Sequence, residues 1–185
     1  MEAVSFKEWK VVCDALSSGR QAIILRKGGI HEGRLGFSFA HASFFLFPTH
    51  FHAQGSHVRE GEMPAIAEWQ IGDQVSITHH AQTLRAVTLT DWDHVTALFP
   101  FHIYSEQAIR DRFDWGEKGM VRSSIHVALV RVLKLATPWE FTYLKSHGGC
   151  RSWVNIPSPP ADCLKEAVSV LDDSALHRIA EMLDV

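Results

Sequence analysis

The segment 125–135 is apolar at both odd and even positions apart from His126, Arg131 and Lys134. Side chains of a strand alternate between its two faces, so a strand that is apolar on both faces must be covered on both sides. We therefore expect a central strand of a sheet with packed layers above and below it. The segment is far shorter than the roughly 20 residues that a membrane-spanning helix needs.

Shorter segments that favour β-structure are separated by tight turns. Residues 9–16 and 21–26 flank a Ser-Ser-Gly-Arg turn and are interpreted as a hairpin, although apolar residues at helical spacing also allow a short first helix. Aromatic residues in 43–47 predict another strand, which ends near Pro48. Residues 71–78 and 84–89 indicate a further strand pair.

Helical signals appear in the middle of the chain and at its end. Thr90-x-x-Asp93 resembles a capping box and predicts a helix that Pro100 ends, and Ser105 is a suitable cap for a second helix reaching Phe113. After a Pro-rich connector at 157–160, apolar residues recur at helical spacing twice, in 164–171 and in 176–183. Two short C-terminal helices are therefore predicted.

These patterns predict one α+β domain spanning residues 1–185, with a body at 1–156 and a C-terminal helical extension at 157–185. The sheet is expected to be mixed or mostly antiparallel, with a small barrel as one form of it. Two central helices and two short C-terminal helices complete the prediction.

The net charge is −3 with histidine neutral, so any binding of a polyanion requires a local basic patch. Twelve histidines make the charge sensitive to pH near neutrality if their pKa values are unperturbed. Three cysteines without a C-x-x-C pair indicate reduced thiols. The N-terminus lacks the pattern of a secretory signal, so we expect a cytoplasmic protein without a membrane association.

The first candidate site is a glycine-containing loop that follows the strand at 21–26. Arg26 and Lys27 precede Gly28 and Gly29, and adjacent glycines let backbone N–H groups converge on an anion while the cations add charge. This composition suits a phosphate group. A tight turn with solvated charges is the alternative interpretation.

The second candidate loop repeats these ingredients. It comprises Lys145, Gly148, Gly149, Cys150, Arg151, Ser152 and Trp153. If both loops lie on one side of the sheet, they form a basic cleft in which the tryptophan offers a stacking face for a base. The alternative is a simple turn followed by a core or rim aromatic residue.

Catalytic and metal-binding signals are weaker. His50 and His52 share one face of an extended segment and are candidate metal ligands, but two ligands do not make a site. Glu32, His52 and Cys150 are the candidates for a hydrolase or nuclease-like enzyme. Cys150 itself is expected to be a small buried thiol. No recognisable catalytic motif is present, and no cofactor is expected.

A spaced set of short segments resembles a bacterial family known only as domain of unknown function 1802. The segments are Lys7-Glu8-Trp9, Leu25-Arg26-Lys27-Gly28-Gly29-Ile30, Phe47-Pro48-Thr49 with His52, Arg112-Phe113, Arg131-Val132 with Leu135, and Gly149-Cys150-Arg151-Ser152-Trp153. The resemblance covers nearly the whole chain. It implies no established activity, but an association with Mrr-type restriction endonuclease domains implies DNA-related or defence work.

Three functional hypotheses follow. The first is a module of PUA-like or related small-barrel shape that grips nucleic-acid phosphate through Arg26, Lys27, Lys145 and Arg151. The second is the hydrolase or nuclease-like enzyme. The third is a scaffold whose C-terminal helices contact a second copy of the chain or a restriction-type protein partner.

Overall fold

The computed structural model describes residues 2–27, 39–50, 57–59, 61, 68–115 and 123–184. Within these ranges the chain forms seven strands and four α-helices. The strands are β1 (Ala3–Trp9), β2 (Ile23–Lys27), β3 (Ser43–Thr49), β4 (Gln74–Leu89), β5 (Ile125–Thr142), β6 (Trp153–Ile156) and β7 (Val168–Ser169). The helices are α1 (Lys10–Ser17), α2 (Trp92–Ala97), α3 (Glu106–Phe113) and α4 (Asp173–Glu181).

The strands form one mixed sheet in the order β2-β5-β4-β3-β1-β6, with β7 also paired to β5. The pairing of β1 with β3 is parallel, and the other pairings are antiparallel. The predicted α+β class and mixed sheet are confirmed. So is the central strand in 125–135, because β5 pairs with β2 on one side and with β4 on the other.

Two apolar cores lie on opposite faces of β3. Phe44 and Leu46 point into the larger core, which α1, α2, α3 and α4 help to cover. Phe45 and Phe47 point into a smaller core, which also contains Trp139 and other residues from the N-terminal half of β4 and the C-terminal half of β5. The pairing of β4 with β5 has two register shifts, and irregularities of this kind bend a strand. Both long strands therefore contribute residues to both cores.

The predicted N-terminal hairpin is wrong, because residues 10–17 form the helix α1. Val11, Val12 and Leu16 are buried on one helical face, so packing against the sheet outweighs the β-propensity of the two valines. The helical alternative was therefore the correct one, and the preceding residues 3–9 form β1 instead.

The predicted strand pair at 71–78 and 84–89 is also wrong, because one continuous strand, β4, spans residues 74–89. His79 and His80, which lie between the two predicted segments, are buried within the strand. The Nδ1 atom of His79 lies 3.1 Å from Ser17 Oγ, and the Nε2 atom of His80 lies 2.9 Å from Ser43 Oγ. Hydrogen bonds to distant residues thus allow polar side chains inside the sheet.

The two central helices are confirmed as α2 and α3, but α2 is capped by Asp91 and not by Thr90. The Ser105 side chain accepts a hydrogen bond from Ala108 N, as predicted. At the C-terminus only α4 forms, and the predicted helix at 164–171 is replaced by turns and β7. No helix in the described part of the chain is long and apolar enough to cross a membrane.

Candidate phosphate-binding cleft

A cleft of about 500 Å³ opens where β1, β2 and β3 end beside the loop that precedes β6. The backbone N–H of Lys7 donates to Ser152 O at 2.8 Å, and Lys7 Nζ donates to Gly149 O at 2.5 Å, so the loop is fastened to β1. The side of the cleft formed by β2 carries Arg26 and Lys27. The structure thus places these two cations and the second glycine loop around one cleft.

Among the described residues, five cationic side chains and two carboxylates line this cleft. The cations are Lys7, Arg26, Lys27, Arg112 and Arg151, and the carboxylates are Glu8 and Glu68. The excess of positive charge contrasts with the net charge of −3 of the whole chain. A concave surface of one sign attracts ligands of the opposite sign more strongly than a flat one does.

A buried ion pair lies at the floor of the cleft. Glu8 is 3% exposed, and its Oε2 lies 2.5 Å from Arg26 Nη1. Its Oε1 accepts from Trp9 N at 2.9 Å and from the Tyr104 hydroxyl at 3.4 Å. Arg26 also donates to Lys7 O and stacks over the Phe6 ring, so its guanidinium is held in one position. This arginine is therefore partly neutralised within the protein.

The environment of Lys7 disfavours its charged form. Burial lowers the pKa of its ammonium group, the Cys150 sulfur opposes this effect, and the positive charge of Arg151 adds to it. Two neighbouring cations repel each other unless an anion lies between them. A phosphate group near Lys7 and Arg151 would relieve this repulsion.

The glycine loop has a defined conformation. Gly149 has a φ of +81°, a backbone conformation that residues other than glycine rarely adopt. The preceding 3-10 turn at Lys145–His147 is closed by His147, whose Nδ1 accepts from Leu144 N at 3.1 Å. Burial lowers the pKa of His147, and Lys7 lowers it further. The neutral histidine thus positions the loop.

Arg112 forms the back of the cleft. It is 9% exposed and donates to Ala108 O at 2.8 Å from its position on α3. Its guanidinium lies 4.3 Å from the Tyr104 ring centroid and 5.0 Å from that of Trp9. Stacking between two rings leaves it charged but confined, which suits a fixed anion contact.

Two residues of the second loop lie apart from the cleft lining. Lys145 is exposed at the start of the 3-10 turn. Trp153 contacts the rings of Phe6, Phe44 and His41 edge-on, with centroid distances of 4.7, 5.1 and 4.7 Å. An aromatic wall of the cleft is formed instead by Trp69, His50 and Tyr143.

The predicted phosphate-binding and catalytic residues are only partly covered by the structure. Gly28, Gly29, Glu32 and His52 lie outside the described residues. The expectation that Cys150 is buried is wrong, because its side chain is exposed at the cleft. All three cysteines are free thiols. The described residues contain no group of three or more histidine, cysteine, aspartate or glutamate side chains that could hold a metal.

Sequence reasoning did not select Lys7, Glu8, Trp69 or Arg112 as site residues. Lys7, Glu8 and Arg112 do belong to the segments that carry the family resemblance, which was the available signal. Nothing in the sequence marks Trp69, because its place beside His50 and Tyr143 depends on contacts between distant segments.

Comparison with known protein families matches nearly the whole chain to one family. A family model described as "Domain of unknown function (DUF1802)" matches residues 5–182. No curated protein matches the chain.

Among solved structures, the ASCH protein from Zymomonas mobilis has a TM-score of 0.47 and 14% identity, covering 89% of this chain and 95% of that chain. A structure of its serine-to-alanine mutant has a TM-score of 0.44 and 12% identity, covering 97% and 94%.

Proposed function

The chain belongs to the DUF1802 family, and we propose from the chemistry of its cleft that it is a module that binds the phosphate groups of a nucleic acid. The observation that carries the proposal is the concentration of five cations around the cleft of a chain with a net charge of −3. A repeating polyanion is the ligand that gains most from such a patch. A PUA-like barrel, and the DNA restriction or defence context that the resemblance implies, are parts of this proposal.

The five cations do not contribute equally to ligand binding, because Arg26 is already paired with Glu8. Because Glu8 offsets the charge of Arg26, this arginine contributes less to ligand binding, whereas Arg112 is held between aromatic rings as a fixed anion contact. Lys7, Lys27 and Arg151 supply the main attraction. Backbone groups of Gly148 and Gly149 add contacts that do not depend on sequence.

The proposal is tested by replacing Arg151, which is exposed at the cleft, with alanine. We expect Arg151→Ala to weaken the binding of a labelled oligonucleotide about three- to tenfold and to lower the salt slope of log K by about 1. Fluorescence anisotropy across a salt series measures both quantities, with RNA and DNA in single-stranded and duplex form.

Lys165→Ala is the matched control, because it removes one exposed positive charge from a turn outside the cleft lining. We expect this variant to bind as the parent does. An equal loss of affinity in the two variants would indicate attraction by the charge of the whole surface and not by a site in the cleft. Absence of salt-dependent binding for every nucleic acid would reject the proposal.

A further inference from the structure

A second pocket of about 520 Å³ adjoins the cleft and is not explained by phosphate binding alone. Trp9, Lys27 and Arg112 line both cavities, so the two share a wall. We call the second cavity the side pocket; its other lining residues are His57, Ala108, Asp111, Asp114 and Trp115. The shared wall carries two positive charges between two recesses.

Aromatic rings line each recess, as a stacked cluster in the cleft and as a single indole in the side pocket. In the cleft, Trp69 stacks on His50 with centroids 4.5 Å apart and rings 27° from parallel, and on Tyr143 at 6.1 Å and 22°. In the side pocket, Trp115 is 47% exposed, and Lys27 Nζ lies 3.4 Å from its ring centroid. A lysine over an exposed indole holds the ring in a position where its remaining surface is open to a ligand.

The charges of the side pocket argue against a phosphate there. Asp111 and Asp114 line it, with Asp111 accepting from Gln107 Nε2 at 2.9 Å and Asp114 paired with Arg110 at 2.8 Å. Carboxylates repel a phosphate but accept hydrogen bonds from the N–H groups of a base. The side pocket therefore fits an uncharged aromatic group, while the cations of the shared wall fit the anion next to it.

We propose that the cleft and the side pocket together bind one single-stranded step of a nucleic acid, with one base stacked on the ring cluster of His50, Trp69 and Tyr143, one base on Trp115, and the linking phosphate at Lys27. This proposal rests on the proposed function and specifies its ligand as unpaired nucleic acid. A base within a duplex is stacked and paired, so it has no free face for either tryptophan. Duplexes keep only the contacts to phosphate.

The test compares single-stranded and duplex oligonucleotides of the same sequence, as RNA and as DNA, with Trp69→Ala and Trp115→Ala. We expect each variant to lose about tenfold or more in affinity for the single strand and little for the duplex, since stacking of one base is removed. Trp115→Ala should also weaken a dinucleotide more than a mononucleotide. Trp69→Phe and Trp115→Phe keep an aromatic ring and should retain most of the affinity, which separates the loss of stacking from a general loss of structure.

Leu84→Ala removes an exposed apolar side chain that lines neither cavity and is the control for surface changes. Salt-dependent binding that is equal for single strand and duplex, or unchanged in both tryptophan variants, would overturn the proposed step but leave the phosphate-binding function standing. Loss of all salt-dependent binding in the parent would overturn both.

Discussion

At the scale of single residues, Glu8 shows how one side chain serves both the fold and the cleft. It is almost fully buried and joins Arg26, the Trp9 backbone and the Tyr104 hydroxyl. Removing one partner of a buried pair leaves the other charge uncompensated, which costs more than the pair itself contributes. The same carboxylate reduces the positive charge offered to a ligand.

We expect Glu8→Gln to lower the free energy of unfolding by about 2–3 kcal/mol, below the usual range for a fully buried pair because Arg26 is 16% exposed. Glutamine keeps the shape and an acceptor oxygen but loses the charge. Affinity for an oligonucleotide should rise about threefold, because Arg26 is no longer offset. Urea denaturation and anisotropy measure the two effects.

Glu68→Gln provides the comparison, because it removes an exposed carboxylate from the same cleft. We expect a similar gain in affinity with a change in stability within about 0.5 kcal/mol. A Glu8 variant that is as stable as the parent would contradict the assigned role of the buried pair.

At the scale of elements, the C-terminal segment separates what a local pattern can predict from what packing decides. Residues 164–171 and 176–183 have the same apolar spacing, yet only the second forms a helix. Leu176 and Ile179 of α4 are buried in the larger core, whereas Leu164 is 39% exposed in a turn. The spacing alone does not specify which stretch finds a surface to cover.

Leu176→Ala is expected to lower the free energy of unfolding by about 2–5 kcal/mol, because it removes a buried side chain from a packed core. Leu164→Ala should stay within about 0.5 kcal/mol. Thermal and urea denaturation of the pair measure the difference. Equal losses in the two variants would contradict the packing of α4.

The same distinction explains the other outcomes of the sequence analysis. The patterns for β5 and α3 are local, since an apolar run and a Ser105 cap are sufficient to identify them. The helix α1 and the uninterrupted strand β4 depend on distant partners, such as the sheet beneath Val11 and the Ser17 and Ser43 hydroxyls beside the histidines. The residues next to α1 and β4 in the sequence do not show which distant residues these elements will contact.

At the scale of the whole molecule, the cleft joins segments that are far apart along the chain. Lys7, Arg26 and Arg151 come from three separate parts of the sequence. Sequence composition predicted two of the three, because the glycine loops carry arginine or lysine beside them. The aromatic surfaces were not predicted, because flat stacking depends on the arrangement of rings in space.

Buried histidines should make the stability of the whole molecule depend on pH. Burial lowers the pKa of His80 to about 4, and burial, helped by Arg59 and Arg112, lowers that of His102 to about 3. In the unfolded chain both titrate near the ordinary value of 6.5, so below that pH the unfolded state binds protons that the folded state does not. The stability that these two neutral histidines contribute is therefore fully present above pH 6.5 and is lost as the pH falls below it.

We expect His80 and His102 together to lower the free energy of unfolding by about 2 kcal/mol between pH 6.5 and pH 5.5, about half from each. His79, His126 and His147, whose pKa values burial also lowers, add to this fall. His102→Leu should remove about 1 kcal/mol of this fall, since leucine takes up no proton in the unfolded chain. The substitution breaks no hydrogen bond, because neither ring nitrogen of His102 has a partner among the described residues. Urea denaturation at a series of pH values gives the slope. A flat profile down to pH 5.5 would contradict the neutral buried state.

The two cores on either side of β3 limit how this molecule can respond to a ligand. Phe44 and Leu46 belong to one core and Phe45 and Phe47 to the other, so a shift of one residue along the strand would exchange the contents of both. Sliding of this strand is therefore blocked. Adjustment to different ligands must come from side-chain rotation and loop rearrangement around a sheet that stays in place.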